Sequence, residues 1–315
     1  MIRVAAWCFD VSDSGLRRLV QLGVECADAV PIPTDDRGVF DLEDAIALKK
    51  RIASFGMAVN RVHLEMLSEK AMVDEAAAKQ ELDLAAESLE VLGKAGYPLV
   101  RLGVAHLTDP WMVGHYQAPH RGGYMARGDS LALGKSDVPP PLEVQQQRWA
   151  KVCQGFERLV PIAEEYGLKL MMHPSDPPTA DSLFGGLNFH RLIDAFPNAC
   201  VGYLYCCGTR CEAGGLPLVL DEIHNYGRKG RLFEIHFRNI RGSFATAGAF
   251  EEVLLDDGDM NMFKILLELK RIGYDSALNA DHYPALEGDV EGGGSQSLAY
   301  SVGYMKAMLA ALACV

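Results

Sequence analysis

With 315 residues the chain can close one large core that buries about three quarters of its unfolded surface, so neither a disulfide framework nor a structural metal is required for folding. Its composition, 49% hydrophobic and 23% charged, is that of an ordinary globular protein. A net charge of −12 and a pI of about 5.2 argue against a nucleic-acid partner, whose phosphates select a basic face.

The opening "MIRVAAWCFD" lacks a charged leader followed by an apolar stretch and a small-residue cleavage site. No run of about 18 uninterrupted apolar residues follows, so no membrane partner is expected. The first candidate strand is "RVAAWCF" (3–9), followed by "CADAVPI" (26–32), "AVNRVHL" (58–64) and "LVRLGVA" (99–105). The second half offers "LKLMMHP" (168–174), "ACVGYLYC" (199–206), "RLFEIHFR" (231–238) and "SALNADHY" (276–283). Between them lie helical stretches at 42–56, 75–96, 144–167 and 259–274, the last two with apolar residues at three- and four-residue intervals. Gly56, Gly96, Gly167 and Gly273 stand where helix C-termini favour glycine. A final helix is predicted over about 297–312.

Eight strands alternating with eight helices predict a single (β/α)8 TIM barrel domain over 1–315. A doubly wound open sheet would usually place a glycine-rich turn after the first strand, and "WCFDVSDSG" has none. Residues 107–145, rich in glycine and proline, form an extended loop after strand four. With Trp111, His115, Tyr116 and Tyr124 it is expected to be a lid or pocket wall rather than a disordered insertion. The eight cysteines follow no framework spacing, and several lie in apolar runs, which predicts a reducing, cytoplasmic compartment.

Active sites of such barrels gather at the C-terminal ends of the strands. His173, Cys206, His236 and Asp281 end four consecutive predicted strands, at intervals of 33, 30 and 45 residues. Each alone reads as structural: a satisfied histidine, a small buried hydrophobe, a turn cap. Together, two imidazoles, a thiolate and a carboxylate suit a borderline divalent ion: Mn, Zn, Fe or Co. Strand alternation alone leaves Cys207 as an alternative to Cys206. Trp7, His63, Glu65, Arg101 and His106 also lie at strand ends and are expected to line the pocket. On the seventh strand Glu234, His236 and Arg238 share a face that must point into the barrel.

Six segments resemble the mannonate dehydratase family, metal-dependent sugar-acid lyases on a xylose-isomerase-like barrel. They are "MMHPSDPP" (171–178), "YCCGT" (205–209), "HFRNI" (236–240), "FEEVLLDDGDMNM" (250–262), "ADHYP" (280–284) and "YSVGYMKAML" (300–309). "VNRVHLE" (59–65) matches more loosely. The resemblance implies a divalent ion, typically Mn2+, on His173, Cys206, His236 and Asp281, favours Cys206 over Cys207, and implicates His282 in proton transfer. It also shows departures. Glu251 stands where the family carries a histidine, and "EGGGSQS" (291–297) replaces a segment that carries a catalytic tyrosine.

The implied reaction is elimination of water from a sugar acid such as D-mannonate, giving a 2-keto-3-deoxy acid. His282 exchanges the proton as base or acid, from a position past the strand end, with Tyr283 as partner or substitute. Arg238 is expected to bind the substrate carboxylate through its planar fork, or else to form an ion pair with Glu234 or another acid. Asp176 binds a hydroxyl, orients His173, or starts the turn before Pro177. Glu252 reaches the pocket or begins a helix. The triglycine 292–294 is the one place expected for a phosphate. A sugar isomerase or epimerase, or a non-catalytic sugar-acid binder, are the alternative readings. Large metal barrels commonly pair, so a homodimer is expected.

Overall fold

The computed structural model describes residues 1–105, 112–135, 138, 140–179, 182–185, 189–289 and 295–315. Local signals start and stop its helices. In α1 (Asp13–Leu22), α2 (Leu42–Ser54) and α3 (Glu75–Lys94), the side chains of Ser12, Asp41 and Asp74 accept hydrogen bonds from first-turn amides. The helix α4 (Leu142–Tyr166) ends at Gly167 with φ 70°, and Gly56, Gly96 and Gly273 are also left-handed just past helices. Further on come α5 (Arg191–Ala195), α6 (Cys207–Arg228), α7 (Phe244–Ala247), α8 (Met262–Arg271) and α9 (Ser295–Leu312).

Eight parallel strands close the predicted barrel. They are β1 (Arg3–Trp7), β2 (Cys26–Asp28), β3 (Ala58–Leu67), β4 (Leu99–Val104), β7 (Lys169–Met172), β8 (Val201–Cys206), β9 (Leu232–His236) and β12 (Ala277–Asn279). Several are shorter than predicted. The strand expected over 276–283 stops at Asn279, whose side-chain oxygen accepts the Asp281 amide at 2.9 Å and turns the chain there. Asp281 then takes a φ of 63°, and Ala29 beyond β2 a φ of 50°, so neither strand can continue.

A second, antiparallel sheet stands at the C-terminal rim, in the order β10–β11–β6–β5. It pairs β5 (Gly114–Pro119) and β6 (Met125–Ser130), from the stretch expected to be a loop, with β10 (Asn239–Ser243) and β11 (Ala249–Val253). Each of these strands is five or six residues long and partly polar, so little in its own sequence announces it. Two local hairpins, β5–β6 and β10–β11, are joined into one sheet by the pairing of β6 with β11, more than 100 residues apart.

Alternation inside the barrel sorts side chains into layers. Leu99, Met171, Leu204 and Phe233 cluster together, as do Ala5, Cys26 and Ala277, forming an apolar floor. Val100, Leu102 and Val104, the intervening residues of β4, join the larger core beneath the helices. Above the floor lies a buried polar layer. Arg61 Nε donates to Glu234 at 2.8 Å, and Asn60 and Asn279 donate to Asp28 at 2.8 and 2.5 Å. Gly202 on β8 lets β9 approach, since a Cβ there would lie 2.5 Å from the Arg231 carbonyl oxygen and 2.6 Å from the Phe233 ring. Gly202→Ala is therefore expected to destabilise the protein by about 1–3 kcal/mol in chemical denaturation. An unchanged midpoint would show that β9 gives way freely.

Candidate metal centre

His173 lies one residue past β7, Cys206 ends β8, His236 ends β9, and Asp281 follows the turn after β12. One donor atom from each lies within 4.8 Å of all the others, and all four residues are buried. His173 Nδ1 is committed to the Pro174 carbonyl oxygen at 2.7 Å, which leaves Nε2 for the cluster. His236 Nδ1 lies 3.1 Å from Asp281 Oδ1 but makes no hydrogen bond of acceptable geometry. Cys206 is also the N-cap of α6, its sulfur accepting the Thr209 amide at 3.4 Å. Cys207 turns away into the core beneath the helices.

The electrostatics match these positions. Burial lowers His173 far below the usual histidine range, and lowers His236 as well, so both imidazoles are neutral with lone pairs to give. Burial pushes the Cys206 thiol up to about 12, so its thiolate needs a cation alongside. Burial also opposes ionisation of Asp281, but the neighbouring His236, His282 and Arg238 hold its carboxyl well below the ordinary range. Four convergent donors, one an orphaned buried ring nitrogen, fit a divalent ion, which these four residues would hold.

Arg238 lies beside this cluster, fully buried. Nη1 donates to Glu212 and Glu252, both at 2.8 Å, and Nη2 to Thr209 Oγ1 at 2.8 Å and Asp176 Oδ2 at 3.2 Å. The fork expected to clamp a substrate carboxylate is thus filled by the protein's own groups. The expected ion pair is made with other acids, since Glu234 pairs with Arg61. Asp176 joins Arg238 and Thr209, while the Pro174 carbonyl, not Asp176, orients His173. Glu252 lies on β11 rather than at a helix start, because β11 is pinned between β10 and β6. Despite burial, Arg238 and His282 hold Glu252 down to about 2.

His282 bridges the two sets. Its Nδ1 is 2.9 Å from Glu252 Oε2 and its Nε2 3.2 Å from Asp281 Oδ2, with the side chain 43% exposed. Against partial burial, Asp281 and Glu252 raise its imidazole above the usual range. His282 and Tyr283 line a cavity of about 480 Å³ together with Trp7, Phe9, Arg18 and Asp281. Burial pushes the Tyr283 phenol to about 12. Trp7 donates from Nε1 to the Asp281 carbonyl oxygen at 2.8 Å and lays its ring 4.9 Å from the Arg61 guanidinium carbon. His63 pairs with Glu65 at 2.6 Å. Arg101 faces the barrel interior from β4 and has no acidic partner within ion-pair distance among the described residues. His106, Trp111 and the triglycine 292–294 lie outside the described residues.

Sequence reasoning missed Glu212, Arg127 and Arg61. Arg61 shares the inward phase of β3 with His63, a signal that was available. Arg127 sits in a strand read as loop and comes within 3.6 Å of both Asp176 and Glu252. Nothing local marks Glu212, on α6, as a partner of Arg238.

No helix among the described residues is long and apolar enough to cross a membrane, and all eight cysteines are free. The solved mannonate dehydratase of Streptococcus suis serotype 2 superposes with a TM-score of 0.81 at 19% identity, covering 98% of this chain and 94% of that one. A xylose isomerase domain protein of Alicyclobacillus acidocaldarius gives 0.63 at 14% identity, covering 98% and 99%. These likenesses establish a xylose-isomerase-like barrel. Mannonate dehydratase 2 of Halalkalibacterium halodurans is 29% identical over 147 residues, 44% of this chain and 41% of that protein. Mannonate dehydratase of Thermotoga petrophila is 28% identical over 147 residues, 44% and 39%. The match therefore spans about two fifths of the length of these curated relatives. The sequence profile described as D-mannonate dehydratase (UxuA) matches residues 143–315, more than half of the chain and all four candidate ligands. The chain belongs to the D-mannonate dehydratase family.

Proposed function

We propose that the protein is a metal-dependent hydro-lyase that removes water from a sugar acid such as D-mannonate, with Mn2+ as the expected ion. The convergence of His173, Cys206, His236 and Asp281 beside His282 and a cavity carries this reading. A divalent ion on those four residues would supply Lewis-acid stabilisation of the negative charge that develops at the carboxylate when the C2 proton leaves.

The remaining work falls to the chain's own side chains. His282 is within reach of the cavity and is oriented by an acid at each ring nitrogen, which suits proton exchange at C2 or at the departing C3 hydroxyl. Tyr283, on the same wall, is a second candidate for that exchange. Arg238 holds Glu252 and Asp176 in place, and Glu252 in turn sets the His282 ring. Trp7 positions Asp281 through its carbonyl and walls the cavity. The segment 107–145 supplies β5, β6 and Arg127, and we read it as a pocket wall over Glu252 and Asp176.

Proton NMR in D2O of Mn2+-loaded protein with D-mannonate and other aldonates tests the reading. The expected result is a 3-deoxy-2-keto product that His282→Ala forms on the order of 10²-fold or more slowly. An epimer, or loss of the C2 proton signal without a keto product, would move the protein to the isomerases and epimerases. Metal binding with no change in any acid would leave a binding protein.

A further inference from the structure

Four of the arginines that line or flank the barrel interior have acids in contact. Arg61 has Glu234 at 2.8 Å, Arg127 has Asp129 at 3.0 Å, Arg210 has Glu222 at 2.6 Å, and Arg238 has Glu212 at 2.8 Å. Arg101 differs. Its Nε is buried and makes no hydrogen bond, and no carboxylate among the described residues reaches ion-pair distance.

The backbone fixes where this side chain points. On β4, Val100, Leu102 and Val104 pack outward under the helices, whereas Leu99 belongs to the apolar floor of the barrel. Arg101, two residues on, shares the inward phase of Leu99 but stands one rung higher. It lies in register with His63 on β3 and Met171 on β7. His173, a candidate metal ligand, is the next inward residue after Met171. The following inward position on β4 is Gly103, where a Cβ would lie 2.2 Å from a Glu65 carboxylate oxygen and 2.8 Å from the His63 ring. Glu65 is held at that height by its 2.6 Å contact with His63, so it does not close on Arg101.

Arg101 is half-buried, and a guanidinium whose Nε is shut away from water without a partner carries a desolvation cost. Burial and the like charge of Arg61 both press against it, with Asp281, Glu234 and Glu65 offsetting them only from a distance. No acid among the described residues supplies its partner, which leaves the position open to an anion that arrives from outside. A planar fork selects a planar, bidentate acceptor. We propose that Arg101, not Arg238, anchors the carboxylate of the sugar acid, fixing which end of the substrate meets the metal ligands and excluding the uncharged sugar. A neutral aldose or alditol would leave this half-buried cation without a counter-charge, which is the basis of discrimination. The proposal rests on the sugar-acid reading above, and Arg101 lies outside the residues matched by the family profile.

The test uses metal-free protein, so that chelation by an ion contributes no preference for acids. Calorimetric titration compares D-mannonate and D-gluconate with D-mannitol and D-sorbitol, for the parent, Arg101→Met and Arg101→Lys. The parent is expected to prefer the acids. Arg101→Met is expected to bind them about 10- to 100-fold more weakly and to lose the preference. Arg101→Lys keeps the charge without the fork and falls between. Mn2+ binding to Arg101→Met is expected to be unchanged or tighter, since a cation has left the neighbourhood of the site. A merely structural arginine would instead loosen Mn2+ and lower the thermal midpoint together, in both variants, and that result overturns the proposal. So does a parent with no preference for acids, or an Arg101→Met variant that keeps it. Keto product from the parent with the preference intact in Arg101→Met removes this anchor and leaves the dehydratase reading standing. A lost preference without any keto product does the reverse.

Discussion

His236→Ala is expected to weaken divalent-ion binding by a factor on the order of 10³, and to abolish turnover of any sugar acid with it. The expectation follows from what His236 does at each nitrogen. Nδ1 faces Asp281 without a hydrogen bond and is the orphaned atom of the cluster. Nε2 lies 3.4 Å from Arg61 Nη2 and 3.8 Å from Glu234 Oε1, so the polar layer below holds the ring upright. Removing the ring leaves three donors and an acid with one fewer partner. The measurement is metal content after dialysis against a competing chelator, with metal-free parent as the stability reference. Cys207→Ala is the control: its thiol lies beneath the helices, so full metal content is expected. Stoichiometric metal in His236→Ala would refute the four-donor assignment.

Arg238→Met is expected to cost about 3–5 kcal/mol in chemical denaturation, the size of breaking a buried charge cluster from one side. Glu212, Glu252 and Asp176 all converge on this guanidinium, and the first two share Nη1. Burial drives Glu212 well above the carboxylate range, whereas Arg238 and His282 hold Glu252 down to about 2 against the same burial. Without the arginine those acids face one another in a dry site. Replacing Glu212 by Gln in the same chain removes one of them and is expected to restore part of the loss. Arg238→Lys cannot reach both sides of the fork and is expected to fall between parent and Met. An Arg238→Met protein as stable as the parent, binding sugar acids normally, would mean that the acids are neutral in the folded state and need no counter-charge. If it stayed folded and lost only acid binding, Arg238 would be the carboxylate clamp after all.

Much of this site was legible before the fold was known. His173, Cys206, His236 and Asp281 could be grouped because each sits at the end of a strand, and parallel strands of one barrel must end together. His282 could be set past its strand because alternation forbade it a place beside Asp281. The partners of Arg238 could not be read. Arg238 was expected to face substrate or to pair with Glu234 or another acid, and the acids are Glu212 from α6 and Glu252 from the rim sheet. That sheet was itself unreadable, since "GHYQAP" and "AFEEV" carry weak strand patterns until they pair with each other's neighbours.

The amino-acid sequence by itself determined the barrel, its strand order and the height of the candidate metal donors. Side-chain alternation and the length of a βα unit are local properties, and the closure of equal units brings their ends to one rim. Only the tertiary structure decided which charges meet. Arg61 and Glu234 are 173 residues apart, and Arg238 and Glu212 are 26 apart on different element types. Pairing across such distances depends on the twist, bulges and tilt of the closed sheet, which no local window encodes. Among the described residues Arg101 alone of these barrel arginines meets no acid at ion-pair distance, and that difference too arises only when the sheet closes.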